Sequence, residues 1–181
     1  MRIIAGQYRS LKLERVESDL TRETSDKVRG AVFNSLGEFV NDADVLDLFA
    51  GSGAYGLEAL SRGAKDITFV DNQAKAIQTV KNNIKRLKTS NTQVIQGDYF
   101  QALNQFKNSL LKFDLVMIDP PYQFDDYHIL LDSLISLLKP NARIVVESSK
   151  NTKFEQLNQV FIIYKEATYG IKKITYIEYQ K

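Results

Sequence analysis

Four aspartates lie within or directly after short apolar segments, and this placement is the first sign of chemistry in the chain. Asp47 lies within VLDLF, Asp71 ends ITFVD, Asp98 follows TQVIQG and Asp119 follows DLVMI. If these segments are parallel strands, their carboxylates meet at the edge of the sheet where ligands bind. A single acid there is usually a helix cap, whereas four like charges repel one another. The pattern therefore predicts a ligand that carries positive charge.

The segment after the first of these strands is rich in glycine. Residues 51–56, GSGAYG, match the spacing G-x-G-x-x-G that is typical of dinucleotide-binding loops. Asp71 follows Gly51 by 20 residues, where an NAD enzyme and an S-adenosylmethionine enzyme would both use an acid for ribose hydroxyls. Asp47 is unfavourable beside a pyrophosphate. Because S-adenosylmethionine has no phosphate and carries a sulfonium and an ammonium, the sequence favours it as the cofactor.

The segment Asp119-Pro120-Pro121-Tyr122 is the most specific in the chain. Its two prolines fix the backbone after a buried strand and prevent helical continuation. The segment offers a carboxylate, a peptide carbonyl and an aromatic face. These groups are what the exocyclic amine of a flat base needs, since the amine has two hydrogens to donate and the base has a ring to stack. The segment therefore predicts a site for a nucleobase amine.

The elements that must position these groups follow from the apolar pattern. Apolar runs alternate with helical periodicity from residue 45 onward, which is typical of βαβ units and a parallel sheet. Two later segments, at 159–168 and 173–180, alternate with period two around Tyr169-Gly170 and predict an antiparallel hairpin at one edge. We expect strands at 45–49, 67–71, 92–98, 114–119 and 143–148, and helices at 54–62, 73–88, 99–106 and 126–138.

The N-terminal residues precede this alternating pattern and predict a small addition to the sheet. Residues 2–14 are expected to form two short strands with a turn near Gly6. A helix capped by Thr24 or Ser25 should follow and end at Gly37. The expected organisation is a single domain at 1–181, with an N-terminal extension at 1–40 and a catalytic core at 41–181.

The composition excludes several classes of function. The chain has no cysteine, which excludes disulfides and thiolate metal sites, and its single histidine, His128, argues against a His-rich metal site. No apolar run approaches the ~20 residues of a membrane span, and the start of the chain lacks a signal-peptide pattern. The sequence thus predicts a cytoplasmic protein with no membrane or metal partner.

Basic residues are distributed unevenly, although the formal net charge is only +2. They are frequent near the N-terminus, in the segment 72–90 and in residues 139–181, whereas the acids concentrate in the middle. A basic rim around an acidic centre favours a polyanionic partner. The residues that we expect to contact phosphates are Arg9, Lys12, Arg22, Lys27 and Arg29.

The chain resembles the class I S-adenosylmethionine-dependent methyltransferases, and within them the RsmD family of bacterial 16S rRNA guanine-N2 methyltransferases. The resemblance covers nearly the whole chain. It implies a Rossmann-like α/β fold with a mostly parallel seven-stranded sheet, an antiparallel C-terminal hairpin and a small N-terminal β-hairpin and helix. The segments that carry it are MRIIAGQYRSLKL (1–13), TRETSDKVRGAVFNSL (21–36), DLFAGSGAYGLEALSRGA (47–64), FVD (69–71), GDYF (97–100), DPPY (119–122) and YG (169–170).

This resemblance also implies a reaction and roles for individual residues. The expected reaction methylates N2 of guanine 966 of 16S rRNA, in the small ribosomal subunit or its assembly intermediate. The residues expected to bind S-adenosylmethionine are Asp47, Phe49, Ala50, Gly51 and Gly53 for the methionine part, Asp71 with Asn72 for the ribose, and Asp98 with Tyr99 for the adenine. The residues expected to hold the target base are Asp119, Pro120, Pro121 and Tyr122.

Three other functions remain open from the sequence. An amino-methyltransferase that acts on another base, such as adenine N6, can carry the same Pro-Pro-Tyr segment. An NAD-dependent oxidoreductase would use the glycine loop, but Asp47 and the segment 119–122 disfavour it. A non-catalytic RNA-binding relative would have a broken glycine loop or a broken 119–122 segment, and both are intact.

Overall fold

The computed structural model describes residues 1–16 and 25–181. In this part of the chain, seven strands form one sheet with the order β3-β2-β1-β4-β5-β7-β6. The strands are β1 (Asp44–Leu48), β2 (Asp66–Asp71), β3 (Thr92–Gln96), β4 (Phe113–Ile118), β5 (Leu138–Ser149), β6 (Phe161–Tyr169) and β7 (Lys172–Tyr179). The helices are α1 (Asp26–Leu36), α2 (Ala54–Ser61), α3 (Ala74–Leu87), α4 (Tyr99–Asn108) and α5 (Tyr127–Leu134), with 3₁₀ turns at Gly37–Val40 and Ile135–Leu137.

Strands β1 to β5 are parallel to one another, and β7 runs antiparallel between β5 and β6. This order confirms the predicted mostly parallel sheet with an antiparallel C-terminal hairpin. Strand β5 is longer than expected, since it begins at Leu138 instead of at residue 143. Its pairing with β4 shifts register between Phe113 and Leu115, and this irregularity accommodates Pro140 within the strand.

Apolar side chains fill both faces of the sheet, which explains why the parallel strands are nearly continuous runs of aliphatic residues. One cluster joins alternate strand residues such as Val45 and Met117 to α1, α2 and α3. The other joins residues such as Leu46 and Ile118 to α4 and α5. The sheet is therefore the middle layer of three, and its carboxyl edge is left to the loops.

Helix α1 begins and ends where the sequence predicts. The Ser25 hydroxyl accepts a hydrogen bond from the Val28 amide at 3.3 Å, and Gly37 ends the helix with φ of 55°. Thr24, the alternative cap, lies outside the described residues.

The two predicted N-terminal strands are reduced to a single antiparallel bridge between Arg2 and Lys12. The reason lies in the hydrogen bonds of the intervening backbone. The amides of Ile4 and Ala5 donate to the Glu58 carboxylate on α2, at 2.7 and 3.1 Å, instead of to a partner strand. Other backbone bonds still cross the turn, from the Ile3 amide to Leu11 and from the Leu13 amide to Met1, so the N-terminal segment is held both by itself and by helix α2.

Candidate active site

Four carboxylates lie near the carboxyl ends of four adjacent strands. Asp47 of β1 pairs with Phe69 on β2 and with Met117 on β4, and Met117 pairs with Val145 on β5. Because residues two apart along a strand share a face, Asp71 and Glu147, two positions beyond Phe69 and Val145, face the same side as Asp47. Asp119, two positions beyond Met117, directly follows the end of β4.

The glycine loop between β1 and α2 is shaped by left-handed backbone conformations. Phe49, Gly51 and Gly53 have φ of 60°, 55° and 79°, and Gly53 precedes the first turn of α2. A Cβ atom added at Gly51 would meet nothing within 4 Å, so the backbone there faces open space. Ala50, by contrast, is buried and bonds through its amide to Val70. The loop thus presents bare backbone on its outer side, where a ligand can approach closely.

Asp71 connects the end of β2 to this loop. Its Oδ2 accepts from the Gly51 amide at 2.9 Å, and its Oδ1 accepts from the Gln73 amide at the same distance. Each carboxylate oxygen can accept a further hydrogen bond, so the side chain can bind ribose hydroxyls while it holds the loop. Asn72, the next residue, is exposed.

Asp47 lies beneath the glycine loop and is only 2% exposed. Its Oδ2 accepts from the Gly56 amide at 2.8 Å, which ties the strand to helix α2. Burial raises the pKa of Asp47 well above its usual range; the Gly56 hydrogen bond opposes this rise, and the charges of Asp119 and Asp71 add to it. A cation above the loop would relieve this accumulation of negative charge, whereas a phosphate would increase it.

Asp98 and Tyr99 begin helix α4 on the side of the site formed by β3. Asp98 is the N-cap of the helix, since its Oδ1 accepts from the amides of Phe100 and Gln101 at 2.9 and 3.4 Å. The side chain is exposed, and a carboxylate has room for a further donor at Oδ2. Tyr99 is half-buried, and burial is the main cause of its raised pKa.

The segment 119–122 leaves β4 at the centre of the same edge. Asp119 and Pro120 are partly buried, whereas Pro121 is exposed and Tyr122 is 63% exposed. The Phe124 amide donates to the Pro121 carbonyl at 2.9 Å and closes the turn. The Tyr122 ring is therefore available to stack on a flat ligand beside Asp119.

A row of aromatic rings along this edge was not predicted from the sequence. The centroid of Phe124 lies 5.5 Å from that of Phe49, 5.7 Å from that of Tyr99 and 5.0 Å from that of Tyr127. Tyr127 continues the row to Phe154 at 5.3 Å. The rings pack edge to face, as aromatic pairs prefer. The sequence signal that could have revealed this row is the close spacing of the aromatic residues at 122, 124 and 127.

Glu147 was also missed, although it follows the same rule as the predicted aspartates. It lies near the end of the apolar run RIVVES and is 4% exposed. The Tyr55 hydroxyl donates to its Oε2 at 3.0 Å, and the Lys172 ammonium bonds its Oε1. Burial raises the pKa of the Tyr127 hydroxyl to about 12, and the charges of Asp119, Asp125 and Glu147 add to this rise in that order.

The residues expected to contact RNA do not share one environment. Arg9, Lys12 and Lys27 are exposed. Arg29 is fully buried beside Glu58, with 3.7 Å between its Nε and Oε2, and its Nη2 lies 3.0 Å from Asp26 Oδ1. The prediction that Arg29 contacts RNA is therefore wrong, because its charge is directed into the protein. Arg22 lies outside the described residues.

Two further features of the described residues bear on function. No helix within 1–16 and 25–181 is both long and apolar enough to cross a membrane. In the same ranges, His, Cys, Asp and Glu side chains form no group of three or more that could hold a metal ion.

The sheet order, the glycine loop and the carboxylate edge define this protein as a class I methyltransferase in fold. A solved structure from Escherichia coli, "Putative methyltransferase yhhF", has a TM-score of 0.88 at 31% sequence identity, covering 99% of this chain and 98% of that chain.

The family model described as "Conserved hypothetical protein 95" matches residues 1–178, and the chain belongs to this family, the RsmD family. Among curated relatives, "Ribosomal RNA small subunit methyltransferase D" of Haemophilus influenzae is 38% identical over 99% of this chain and 93% of its own length. The Escherichia coli K12 protein of the same description is 34% identical over 100% of this chain and 90% of its own length.

Proposed function

We propose that this protein transfers a methyl group from S-adenosylmethionine to N2 of a guanine in 16S rRNA, and that the target is guanine 966 in small-subunit particles. The observation that carries the proposal is the position of the segment 119–122. It leaves the central strand β4 on the same edge as the glycine loop and the Asp71 carboxylate. The family's relatives described as rRNA small subunit methyltransferases support the choice of substrate.

The chain's own residues fit this cofactor. The bare backbone at Gly51 and the Asp47 carboxyl beneath it, whose ionised form a cation would favour, suit the cationic methionine part. In this proposal Asp71 binds the ribose hydroxyls, and Asp98 with Tyr99 contacts the adenine, since these residues end β2 and begin α4 on the edge that carries the glycine loop. When bound, S-adenosylmethionine supplies a methyl group on a positively charged sulfur.

The remaining chemistry is positioning of the target amine. The lone pair of guanine N2 is delocalised into the ring, so the amine is a poor nucleophile. Hydrogen bonds from its two hydrogens to the Asp119 carboxylate and the Pro120 carbonyl favour a pyramidal nitrogen and free the lone pair. Tyr122 stacks on the base and fixes its approach. The amine becomes acidic as it is methylated, so Asp119 need not be a strong base. The guanine must leave its stack to reach the site.

The proposal is tested by identifying the methylated nucleoside. Small subunits from a strain that lacks the enzyme are incubated with the purified protein and labelled S-adenosylmethionine, and the rRNA is digested to nucleosides. We expect N2-methylguanosine to be the labelled nucleoside. Formation of N6-methyladenosine would support the alternative amino-methyltransferase, and no labelled RNA at all would contradict the proposal.

Replacing Asp71 by alanine should weaken S-adenosylmethionine binding by roughly tenfold or more, because hydrogen bonds to a carboxylate contribute about 1.5–3 kcal/mol each. Calorimetric titration measures this affinity. Asp66→Ala is the matched control, since Asp66 is an exposed acid at the opposite end of the same strand. Equal affinities in the two variants would remove Asp71 from the cofactor site.

Replacing Arg9, Lys12 and Lys27 together by alanine should weaken binding to small subunits and reduce its salt dependence. Each lost phosphate contact lowers the slope of log affinity against log salt by about one unit. The control variant replaces Lys65, Lys107 and Lys112, three exposed lysines, of which Lys65 and Lys112 precede the amino ends of β2 and β4. If both triple variants keep the parent's slope, the RNA docks elsewhere, with the basic segment 72–90 as the next surface to test.

A further inference from the structure

Of the four carboxylates near the carboxyl edge of the sheet, Glu147 is the one that the proposed reaction leaves without a role. Asp119 and Glu147 each lie one position beyond Ile118 and Val146, which are register partners on adjacent parallel strands. Neighbouring strands lie about 4.8 Å apart, so the backbones of the two acids lie side by side, Asp119 just beyond the end of β4 and Glu147 within β5. The field of both carboxylates also reaches the Tyr127 hydroxyl, whose pKa they raise. Glu147 is thus the neighbour of the group that holds the target amine.

The carboxylate of Glu147 is held by partners from two other elements. The Tyr55 hydroxyl of α2 donates to Oε2 at 3.0 Å, and the ammonium of Lys172, from β7, bonds Oε1. The side chains of Glu147 and Lys172 are 4% and 15% exposed. Burying such a pair costs much of what the pairing returns, so stability alone is a weak reason for it. The pair instead places a carboxylate one strand from Asp119 and an ammonium one strand further along the sheet.

We propose that Glu147 and Lys172 select guanine by reading the two groups that follow N2 along its base-pairing edge. This inference rests on the proposed function of the same site. Guanine presents there, in order, the N2 amine, the N1–H donor and the O6 acceptor. With N2 at Asp119 and Pro120, the Glu147 carboxylate accepts from N1–H and the Lys172 ammonium donates to O6.

The hydrogen-bonding capacity of the pair is sufficient for this role. A carboxylate has about four acceptor sites and an ammonium has three donors, so both can contact a base while remaining bonded to each other. Adenine, with its N6 amine at Asp119, would direct the N1 lone pair at Glu147. Two acceptors would then face each other in a partly buried site, and this arrangement disfavours adenine.

The test compares guanine with 2-aminopurine at the target position of reconstituted small subunits. 2-Aminopurine keeps the amine but has a bare N1 acceptor and a hydrogen in place of O6. The measured quantity is the ratio of kcat/KM for the two bases. This ratio isolates the reading of N1 and O6, because a general disturbance of the site lowers both rates together.

The first variant is Glu147→Gln, whose amide can donate to the N1 of 2-aminopurine. The second is the double variant Glu147→Gln with Lys172→Met, which removes both buried charges together and guards against misfolding of the first. Lys173→Met is the control: Lys173 is the next residue on β7 and is buried to a similar degree, but it pairs with Glu166 and the Thr152 carbonyl.

We expect both Glu147 variants to lower the guanine preference by about 10-fold to 100-fold, the range for loss of a paired base contact. Their affinity for S-adenosylmethionine should stay within a few fold of the parent's, and Lys173→Met should keep the parent's preference. An unchanged ratio in the folded variants would overturn the inference, even if both rates fell. A parent enzyme that methylates neither base would contradict the proposed function itself, and this inference with it.

Discussion

Replacement of Asp119 by alanine is expected to remove most of the methyl transfer while leaving cofactor affinity within a few fold of the parent's. The carboxylate accepts from the target amine in the proposed mechanism, and it directly follows the last residue of β4, apart from the Asp71 and Gly51 contacts that shape the cofactor loop. Removal of one preorganised group that stabilises developing charge typically costs about 10²–10³ in rate. Single-turnover methylation of small subunits measures the rate, and calorimetry measures the affinity.

The control for this prediction is Asp125→Ala. Asp125 is an exposed acid in the loop that follows the same proline pair, and its loss changes the net charge equally. We expect it to keep the parent's rate within a few fold. Near-parent methylation by Asp119→Ala would refute the role assigned to the segment 119–122, whereas a loss of cofactor binding would place Asp119 in the cofactor site instead.

The grouping of acids at the carboxyl edge of the sheet could be predicted because it depends on the local pattern of apolar residues. Apolar runs of strand length, separated by helical patterns, determine a parallel sheet, and a parallel sheet brings its carboxyl ends together. Asp47, Asp71 and Asp119 were identified in this way, and the structure brings them to one edge. Their roles toward cofactor and base stay predictions that the variants above address.

The sequence was a poorer guide where contacts between distant segments decide the structure. Arg29 was predicted to contact RNA because it is a basic residue near the start of a helix. It precedes Val32 and Phe33 by three and four residues, however, and therefore lies on the buried face of α1. That spacing was a usable signal. The ion pair with Glu58 that makes the burial tolerable could not be predicted, because nothing local links residues on α1 and α2.

The same limit explains why the predicted N-terminal hairpin is reduced to a single bridge. Alternation in residues 2–14 is compatible with a hairpin, but a backbone amide takes whichever acceptor folding brings to it. Here that acceptor is Glu58, a carboxylate on α2. Glu147 differs from these cases, since it stands near a strand end like the aspartates and could have been found by applying the strand-end rule to β5.

Replacement of Glu58 by alanine is expected to destabilise the protein by about 3–5 kcal/mol, the usual cost of removing one partner of a buried ion pair. Glu58 is fully buried and accepts from the Ile4 and Ala5 amides and from Arg62 Nε, at 2.7, 3.1 and 2.7 Å. Its loss would leave these donors without their acceptor and the buried Arg29 guanidinium without one of its two carboxylate partners. For a domain of this size each kcal/mol lowers Tm by roughly 2–4 °C, so a fall of about 10 °C is expected by calorimetry.

Two further variants separate the buried charge from a general effect of removing an acid. Glu38→Ala removes an exposed glutamate and should change stability by less than about 0.5 kcal/mol. Glu58→Gln combined with Arg29→Met removes both charges and should recover part of the loss, because no buried charge is left without its partner. Hydrogen exchange should also accelerate at the Ile4 and Ala5 amides in Glu58→Ala, since their acceptor is gone. A Glu58→Ala protein with the parent's Tm and unchanged exchange at these amides would show that the N-terminal segment is held by its apolar contacts alone.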